Sequence, residues 1–301
     1  MGDAAMMTIV FSARTKKSYS RFYPLCIIVK LNKKNKRKLH PLTIYNCNFY
    51  NNIMLKHILI GAISIITISC NYNSAKDKKA TEIVNECIAA HGGKNYRNMD
   101  ISFDFRQFRV HLKQNGGTFL YERTSKDSLN NVWHDELTND SFTRKMNGKK
   151  VALSQKEIHK YKEGLNAISY FVLLPFKLSE PAVNLEYLGE ITIENKVYEK
   201  IGVSFDAAGG GKDHLDEFCY WINKTDHTMD YLAYASGGPR FRKAVKREKV
   251  DGIVFQDYEN YEVSDSTFAT VNYDSAFIAG KVKLLSKIEQ QNYTSNKSTK
   301  R

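Results

Sequence analysis

The spacing of apolar residues predicts one helix at the start of a folded domain, followed by many short strands. Between Lys78 and His91 apolar residues recur every three or four positions, and Gly92-Gly93 then ends the helix. From Ile101 the period changes to two, as expected for a sheet that buries one of its faces. The strand that begins there is predicted to continue to about Leu112.

Turn residues divide the rest of this region into further strands and one inserted helix. Asn147-Gly148 and Asp251-Gly252 are typical of two-residue hairpin turns. Helical spacing returns once, from Gln155 to Leu174, and Pro175 ends it. The remaining predicted strands are Thr118–Thr124, Val132–Leu137, Phe142–Met146, Lys149–Leu153, Glu190–Glu194, Tyr198–Phe205, Leu215–Ile222, Met229–Ala235, Arg240–Lys249, Ile253–Tyr261 and Val282–Ile288.

This order of elements predicts an α+β fold that is mainly antiparallel β. About ten strands follow one another as a meander. Alternation of strands and helices is absent from the pattern, which argues against a parallel barrel or a dinucleotide-binding fold. We expect one long, curved, half-barrel-like sheet, with the N-terminal helix and the inserted helix against its concave face. The helices or a bound apolar ligand would cover the buried side of that sheet.

Charge is concentrated at the two ends of the chain. The 301 residues include 45 Lys and Arg against 32 Asp and Glu, a formal net charge of +13. Residues 1–53 carry +9 and residues 281–301 carry +5, so the stretch 71–280 is close to −2. A basic arm of this kind can bind nucleic acid, but the segment that follows residue 53 argues for another interpretation.

Residues 54–70, MLKHILIGAISIITISC, have the layout of a secretory signal that ends in a lipidated cysteine. A short basic start precedes an apolar run from Ile58 to Ile68, which is too short to span a bilayer. Ser69 and Cys70 then resemble a bacterial lipoprotein cleavage box, with Thr67 at the −3 position where leucine is commonest. Cys70 is therefore predicted to be the diacylated N-terminus of the mature protein.

A signal sequence works only near the start of a chain, so the sequence predicts the following division. Residues 1–53 are a mis-assigned upstream extension, 71–79 are a polar tether, 80–289 are a single domain, and 290–301 are a disordered basic tail. The nearly neutral domain makes nucleic acid an unexpected partner. We expect an outer-membrane lipoprotein that faces the periplasm and is held to the membrane by its diacylglycerol, because no acidic export pair follows the cysteine.

Two cysteines fall within the predicted domain. Cys87 lies on the apolar side of the first helix, and Cys219 lies in a predicted strand. They could form one disulfide in an oxidising periplasm, or be two independent small core residues, and we favour the second interpretation.

Few polar residues form a pattern with chemical meaning. Residues 209–213, Gly-Gly-Gly-Lys-Asp, lack the following helix and the spacing of a phosphate-binding loop. Asp213 and Asp216 are candidate ligand-binding or catalytic carboxylates, and His91 is a candidate ligand-binding residue at the end of the first helix. His134-Asp135-Glu136 is interpreted as a solvated strand segment. No zinc-type spacing of Cys and His occurs, so no metal, cofactor or catalytic residue is assigned.

Two further features favour binding over catalysis. Arg240 and Arg242 lie on one face of a predicted strand, with Phe241 on the other, as an anion-binding or partner-binding strip or as a solvated edge. The chain has 18 Tyr, 16 Phe and 2 Trp, among them Trp221, and these rings either fill a core or surround an apolar cavity.

Several stretches resemble an uncharacterised lipoprotein family of Bacteroidetes-type bacteria. They include ATEIVNECIAAHGGKNY from Ala80, FDAAGGGKDHLDEFCYWINK from Phe205 and LAYASGGPRFRKAVKREKVDGIVFQDYENY from Leu232. The resemblance covers about residues 75–289, and because the activity of that family is unknown it assigns no site residue.

A weaker resemblance concerns the helix that ends in His-Gly-Gly before a long meander. This arrangement looks like the half-barrel superfamily of periplasmic lipoprotein-localisation factors, in which acyl chains lie between sheet and helices. The leading hypothesis is therefore an envelope lipoprotein that binds a hydrophobic or lipidic ligand or a partner lipoprotein. A carboxylate-dependent hydrolase or sugar-processing enzyme, and a structural or sensory envelope module, are the alternatives.

Overall fold

A computed structural model describes residues 77–208, 216–265 and 267–297. The predicted upstream extension, the signal segment with Cys70, most of the tether and the loop that contains Asp213 lie outside these residues. The described part contains three α-helices: α1 (Lys78–His91), α2 (Gln155–Val172) and α3 (Tyr273–Ile278). None of its helices is long and apolar enough to cross a membrane.

Fourteen strands make up most of the described chain, and they form two antiparallel sheets of seven strands each. The strands of the first sheet are β1 (Asn98–Phe105), β2 (Phe108–Asn115), β3 (Thr118–Lys126), β4 (Val132–Thr138), β5 (Phe142–Met146), β6 (Lys149–Lys150) and β14 (Gln290–Ser295). Those of the second sheet are β7 (Val183–Ile193), β8 (Lys196–Phe205), β9 (Phe218–Asn223), β10 (Met229–Tyr234), β11 (Arg240–Val250), β12 (Ile253–Val263) and β13 (Val282–Ile288).

The prediction of a mainly antiparallel α+β fold is confirmed, but the strands divide into two sheets. Strand order is β14-β1-β2-β3-β4-β5-β6 in the first sheet and β13-β12-β11-β10-β9-β8-β7 in the second. The chain passes from one sheet to the other between β13 and β14. Gln290, the first residue of β14, donates its backbone N–H to Asp257 on β12 at 2.8 Å, so the sheets are joined at this edge.

The two sheets share one apolar core. Ile101, Phe103 and Val110 of the first sheet belong to the same buried cluster as Ile201 and Phe255 of the second. The rings of Phe103 and Phe255 are 6.1 Å apart. The inner face of each sheet packs against the other sheet and the helices. The protein's own side chains, and not a bound ligand, therefore cover most of that face.

Helix α1 closes one end of this core, as its spacing predicts. Asp77 caps the helix by accepting the backbone N–H of Ala80 at 3.1 Å, and its second oxygen accepts the N–H of Tyr187 on β7 at 2.7 Å. Gly92 ends the helix with a φ of 148°, and a Cβ at this position would lie 3.1 Å from the Cα of Ile253. Only glycine permits this close approach between α1 and β12.

Helix α2 lies between the sheets and is tied to the first of them. Ser154 and Glu157 form a capping box at its start. Arg123 on β3 donates to the Tyr161 carbonyl of α2 at 3.2 Å and is paired with the buried Asp135 at 2.7 Å. Arg144 stacks over the Tyr161 ring at 3.5 Å. One side of α2 is thereby held against the first sheet, which leaves the other side for the second.

Two predictions about local structure are wrong, and one element is missed. The strand predicted from Ile101 to Leu112 is a hairpin, because Arg106 takes a φ of 55° and turns the chain between β1 and β2. The tail predicted to be disordered forms β14 over Gln290–Ser295 and pairs with β1. Helix α3 is not predicted, because six residues are too few for a period to be recognised.

The two cysteines of the domain are both free and buried. Cys87 belongs to the shared core, whereas Cys219 belongs to a second cluster on the far face of the second sheet. Burial raises the pKa of both thiols well above the ordinary value, so they are neutral small core residues, in agreement with the favoured interpretation.

Candidate ligand cavity

A cavity of about 380 Å³ lies between α2 and the second sheet. Ligand sites in proteins have volumes of about 300–1,000 Å³, so this cavity is large enough for a small molecule or a short segment of an acyl chain. Its mouth includes Asn166 and Ala167 of α2, which are exposed to solvent. The cavity is therefore open on the side of α2.

Aromatic rings from α2, β8 and β9 form most of the wall. Phe205 lies 6.1 Å from the ring of Tyr170 and 5.6 Å from that of Phe218, and both pairs are edge-to-face. Tyr220 and Leu232 add apolar surface from β9 and β10. Rings locked in such contacts keep a cavity open, because they cannot rotate to fill it without losing their partners.

Arg242 on β11 places a positive charge in this apolar wall. Its guanidinium stacks over the rings of Phe171 at 4.7 Å and Tyr234 at 4.9 Å. It donates to the Tyr234 hydroxyl at 2.5 Å and to the Asn260 side chain at 3.4 Å, and burial lowers its pKa. In the described part of the chain, ion pairs form at the neighbouring Arg240 and Arg247 but not at Arg242. A largely buried cation with donor groups to spare attracts an anionic partner.

The hydroxyl of Tyr170, which also lines the cavity, is a second polar group in this wall. It is buried and makes no hydrogen bond to any described residue. Burial raises the pKa of this hydroxyl, so it is neutral and can donate. A buried hydroxyl without a partner costs about 1–3 kcal/mol, and a ligand that accepts its hydrogen bond would remove that cost.

Acidic side chains lie around the same cavity. Glu163, Glu180 and Asp216 contribute to its lining, and Glu180 is paired with Lys177 at 2.6 Å. Asp216 is thus the one predicted carboxylate that the structure places at the cavity. Asp213 lies outside the described residues, so a catalytic pair formed by these two aspartates stays a prediction.

Of the two predicted arginines, only Arg242 reaches the cavity. Arg240 lies two residues earlier in β11, donates to the Pro239 carbonyl at 2.9 Å, and is 3.7 Å from Glu262. Phe241 between them is buried on the opposite face of the sheet. The alternation predicted for this strand is therefore correct, and a strip formed by the two guanidinium groups stays a prediction.

Trp221 and His91 do not line the cavity, so a ligand-binding role for either residue stays a prediction. The Trp221 side chain is buried in the second cluster, where its indole donates to Asp274 at 3.0 Å, so it faces away from the cavity. His91 is buried in the shared core, and its Nε2 accepts the backbone N–H of Met229 at 3.1 Å. Burial lowers the pKa of His91 to about 4, which keeps the ring neutral. The Trp221 indole thus has its partner within the protein, whereas Nδ1 of His91 is buried and makes no hydrogen bond to any described residue.

Sequence reasoning missed the aromatic residues that line the cavity. Phe218 and Tyr220 alternate with Cys219 and Trp221 along β9, so the period of two already separates them into two faces. Both faces are equally apolar in sequence. Which face borders a cavity depends on α2, which is distant in sequence, and no local signal reports this.

The fold and the cavity define an antiparallel β protein with two joined sheets and an aromatic binding cavity under an inserted helix. Residues 56–290 match the family described as "Family of unknown function (DUF6503)". The chain belongs to this family. No curated protein matches it significantly in sequence.

Solved structures with related architecture have little sequence in common with this chain. A LolA superfamily protein from Nitrosomonas europaea is 8% identical, with a TM-score of 0.38 over 71% of this chain and 91% of that one. A putative outer membrane lipoprotein-sorting protein domain from Vibrio parahaemolyticus is 7% identical, with a TM-score of 0.39 over 74% and 94%. The lipoprotein LppX from Mycobacterium tuberculosis is 12% identical, with a TM-score of 0.27 over 54% and 90%.

Proposed function

We propose that this protein is a bacterial envelope lipoprotein that binds an amphiphilic ligand with one apolar chain and an anionic head. The observation that carries the proposal is Arg242, a cation that stacks on aromatic rings of the cavity wall and has no carboxylate partner in the described chain, although acidic side chains also contribute to the lining. The apolar part of the ligand would lie against Phe205, Phe218 and Tyr220. Its anionic group would accept hydrogen bonds from Arg242, and the Tyr170 hydroxyl is a further donor at the same cavity.

The class of ligand follows from the apolar area of the cavity wall and from the positive charge of Arg242 within it. Rings and aliphatic groups dominate the wall, and burying an acyl chain against them contributes about 25 cal/mol for each Å² removed from water. That contribution does not distinguish one apolar chain from another. A charge-assisted hydrogen bond to a buried guanidinium contributes about 1.5–3 kcal/mol, so it selects molecules that carry a carboxylate or phosphate.

Photolabelling tests the position of the ligand. The purified full chain is irradiated with a long-chain fatty acid that carries a diazirine, and the labelled peptides are mapped by mass spectrometry. We expect labels in α2 and β9, and a several-fold loss of labelling in Ala167→Trp, which places a large ring at the mouth of the cavity. The matched control is Ala89→Trp on the exposed side of α1. Equal labelling of both variants would contradict the proposal.

Arg242 is tested by comparing an acid with its ester. Arg242→Met should weaken binding of the free fatty acid about 10- to 100-fold and leave binding of the methyl ester nearly unchanged, because only the acid loses a charge-assisted hydrogen bond. Arg240→Met is the control, since it lies on the same strand and outside the cavity lining. Competition against the photolabel measures both affinities. A parallel loss for acid and ester would show that Arg242 shapes the cavity without selecting an anion.

The envelope location rests on the sequence from Met54 to Cys70. We propose that Cys70 is diacylated and that the domain faces the periplasm from the outer membrane. Metabolic labelling with an alkyne fatty acid, followed by mass spectrometry of the N-terminal peptide, should find the lipid on Cys70 and no peptide from residues 1–53. Cys70→Ser should abolish the label. Recovery of unlipidated chain that begins at Met1 would refute this part of the proposal.

A further inference from the structure

The outward face of the first sheet carries a row of imidazole and carboxylate groups on adjacent strands. His111 on β2 is directly opposite Glu122 on β3, and Glu122 is directly opposite Glu136 on β4. His134 lies two residues before Glu136 and therefore on the same face. These four side chains are partly exposed, whereas Asp135 between the last two points inward and is buried. His134 and Glu136 therefore share the outward face of the sheet, while Asp135 lies on the inner face.

Three of these residues bring ligand atoms close together. One oxygen or nitrogen from each of Glu122, His134 and Glu136 lies within 4.8 Å of the other two. Nε2 of His134 lies 3.0 Å from Oε1 of Glu122. Zn²⁺ binds imidazole nitrogen and carboxylate oxygen at about 2.0–2.2 Å, so small rotations of these side chains bring all three donors onto one ion.

The side chains behind these donors have the arrangement typical of the second layer of a metal site. The far nitrogen of His134, Nδ1, lies 3.1 Å from the hydroxyl of Thr124, which leaves Nε2 directed at Glu122. The second oxygen of Glu122 is 2.5 Å from Nδ1 of His111, and Nε2 of His111 is 2.7 Å from Asp100. Ligating histidines and carboxylates in metal sites are oriented by such hydrogen bonds from their non-ligating atoms.

The charge of the cluster also favours a cation. Glu122 and Glu136 are directly opposite across β3 and β4, a position where like charges destabilise a sheet. Lys145 lies 3.7 Å from Glu136 outside the cluster, whereas Glu122 contacts the imidazoles of His111 and His134 and pairs with no Lys or Arg of the described chain. A divalent ion between them would neutralise both.

From these contacts we propose that Glu122, His134 and Glu136 bind one divalent transition-metal ion, with His111 as a positioning residue that holds Glu122. A mixed imidazole and carboxylate set suits Zn²⁺, Ni²⁺ or Cu²⁺, whereas Ca²⁺ takes six or more oxygen ligands. Three protein ligands leave a coordination position open to water. The site lies on strands of the first sheet and uses no residue of the cavity, so it is independent of the proposed function.

Calorimetric titration of the tag-free full chain with ZnCl₂ tests the site. We expect one ion per chain, and at least a 100-fold loss of affinity in His134→Gln and in Glu122→Gln. His111→Phe should weaken binding about 10- to 100-fold, the range found for residues that orient a ligand. His111→Gln should restore part of that affinity, because the amide can still donate to Glu122. Thermal unfolding of each metal-free variant shows whether its fold is intact.

The matched control is the pair formed by His227 and Glu86, which are 3.3 Å apart and lie outside the proposed set. His227→Gln should leave zinc affinity and stoichiometry unchanged. Should His134→Gln fail to fold, substoichiometric Cu²⁺ added to the unaltered protein should broaden the imidazole NMR signals of His134 before those of His227 and His159. The proposal is wrong if no saturable binding occurs, if only several weak ions bind, or if His134→Gln binds as tightly as the unaltered chain.

Discussion

The two faces of the second sheet are built from alternating residues of the same strands, yet they differ in how their polar groups are satisfied. Trp221 and Phe241 lie on the face covered by α3, where the indole donates to Asp274. Tyr220 and Arg242 lie on the face towards α2. Within the described part of the chain, Arg242 has no carboxylate partner there, and the Tyr170 hydroxyl of α2 makes no hydrogen bond.

This difference separates structural burial from a binding surface. The face under α3 is closed: Asp274 is fully buried and joins Lys200, at 2.8 Å, to Trp221. Its groups need nothing further from solvent or ligand. The face under α2 has a cavity, a guanidinium without a carboxylate partner and a tyrosine hydroxyl without a hydrogen bond among the described residues. Such groups are kept at a cost in stability unless a ligand uses them. The apolar content of the two faces is similar. What distinguishes the face proposed to bind a ligand is that some of its buried polar groups lack partners within the described protein.

Removal of the Asp274 carboxylate should have the largest effect on stability. Asp274→Ala leaves the Lys200 ammonium and the Trp221 indole buried without their partner, and we expect a loss of about 3–5 kcal/mol in the free energy of unfolding. Urea denaturation measures it. Glu190→Ala, which breaks a surface ion pair with Lys224, is the control and should cost less than about 1 kcal/mol. Equal losses would mean that the face under α3 does not depend on this carboxylate.

Acidification should destabilise the protein through His91, which is buried in the shared core. The pKa of this buried ring is lowered from 6.5 to about 4, so the unfolded chain takes up a proton between these values and the native chain does not. The contribution of His91 to the free energy of unfolding should therefore be constant above pH 6.5. It should fall by about 3 kcal/mol as the pH approaches 4.

His91→Gln isolates this effect, because its amide oxygen can accept the N–H of Met229 and does not titrate. The difference in unfolding free energy between the two proteins should change with pH across that interval. A constant difference would show that His91 is not held neutral.

Two tyrosines sharpen the comparison between satisfied and unsatisfied groups. Tyr170→Phe removes a buried hydroxyl that has no partner, so we expect unchanged stability or a gain of about 1 kcal/mol. Tyr198→Phe removes a hydroxyl that donates to Asp230 at 3.0 Å and should cost about 1.5–3 kcal/mol. Thermal unfolding of both variants gives the two values. A large loss in Tyr170→Phe would imply that its hydroxyl is already engaged.

The smallest expected effect concerns the cap of α2. Ser154→Ala removes the capping box and should lower stability by about 1 kcal/mol, whereas Ser154→Asp retains an acceptor and should not. Because α2 forms one wall of the cavity, labelling by the photoreactive fatty acid should fall in the alanine variant and recover in the aspartate variant. Labelling that is insensitive to both would indicate that the start of α2 does not support the cavity.

Much of the local structure could be predicted from the sequence, because the signals for it are local. The helical period between Lys78 and His91 and the turn at Asn147-Gly148 lie within a few residues of one another. Periods of 3.6 and 2 then assign side chains to faces. The hairpin at Arg106 was missed because Arg-Gln is not a typical turn sequence, and β14 was missed because its partner β1 begins about 190 residues earlier.

The sequence by itself determined the class of fold, the boundaries of α1, those of α2 to within two residues, and the alternation that places Arg242 opposite Phe241. Only the tertiary structure decided that Arg242, and not Arg240, borders a cavity, and that the Trp221 indole and Nε2 of His91 have partners within the protein. It also decided that His134 and Glu136 join Glu122 across strands. The physical reason is that a face is a local property of the backbone, whereas partners come from segments far apart in the chain.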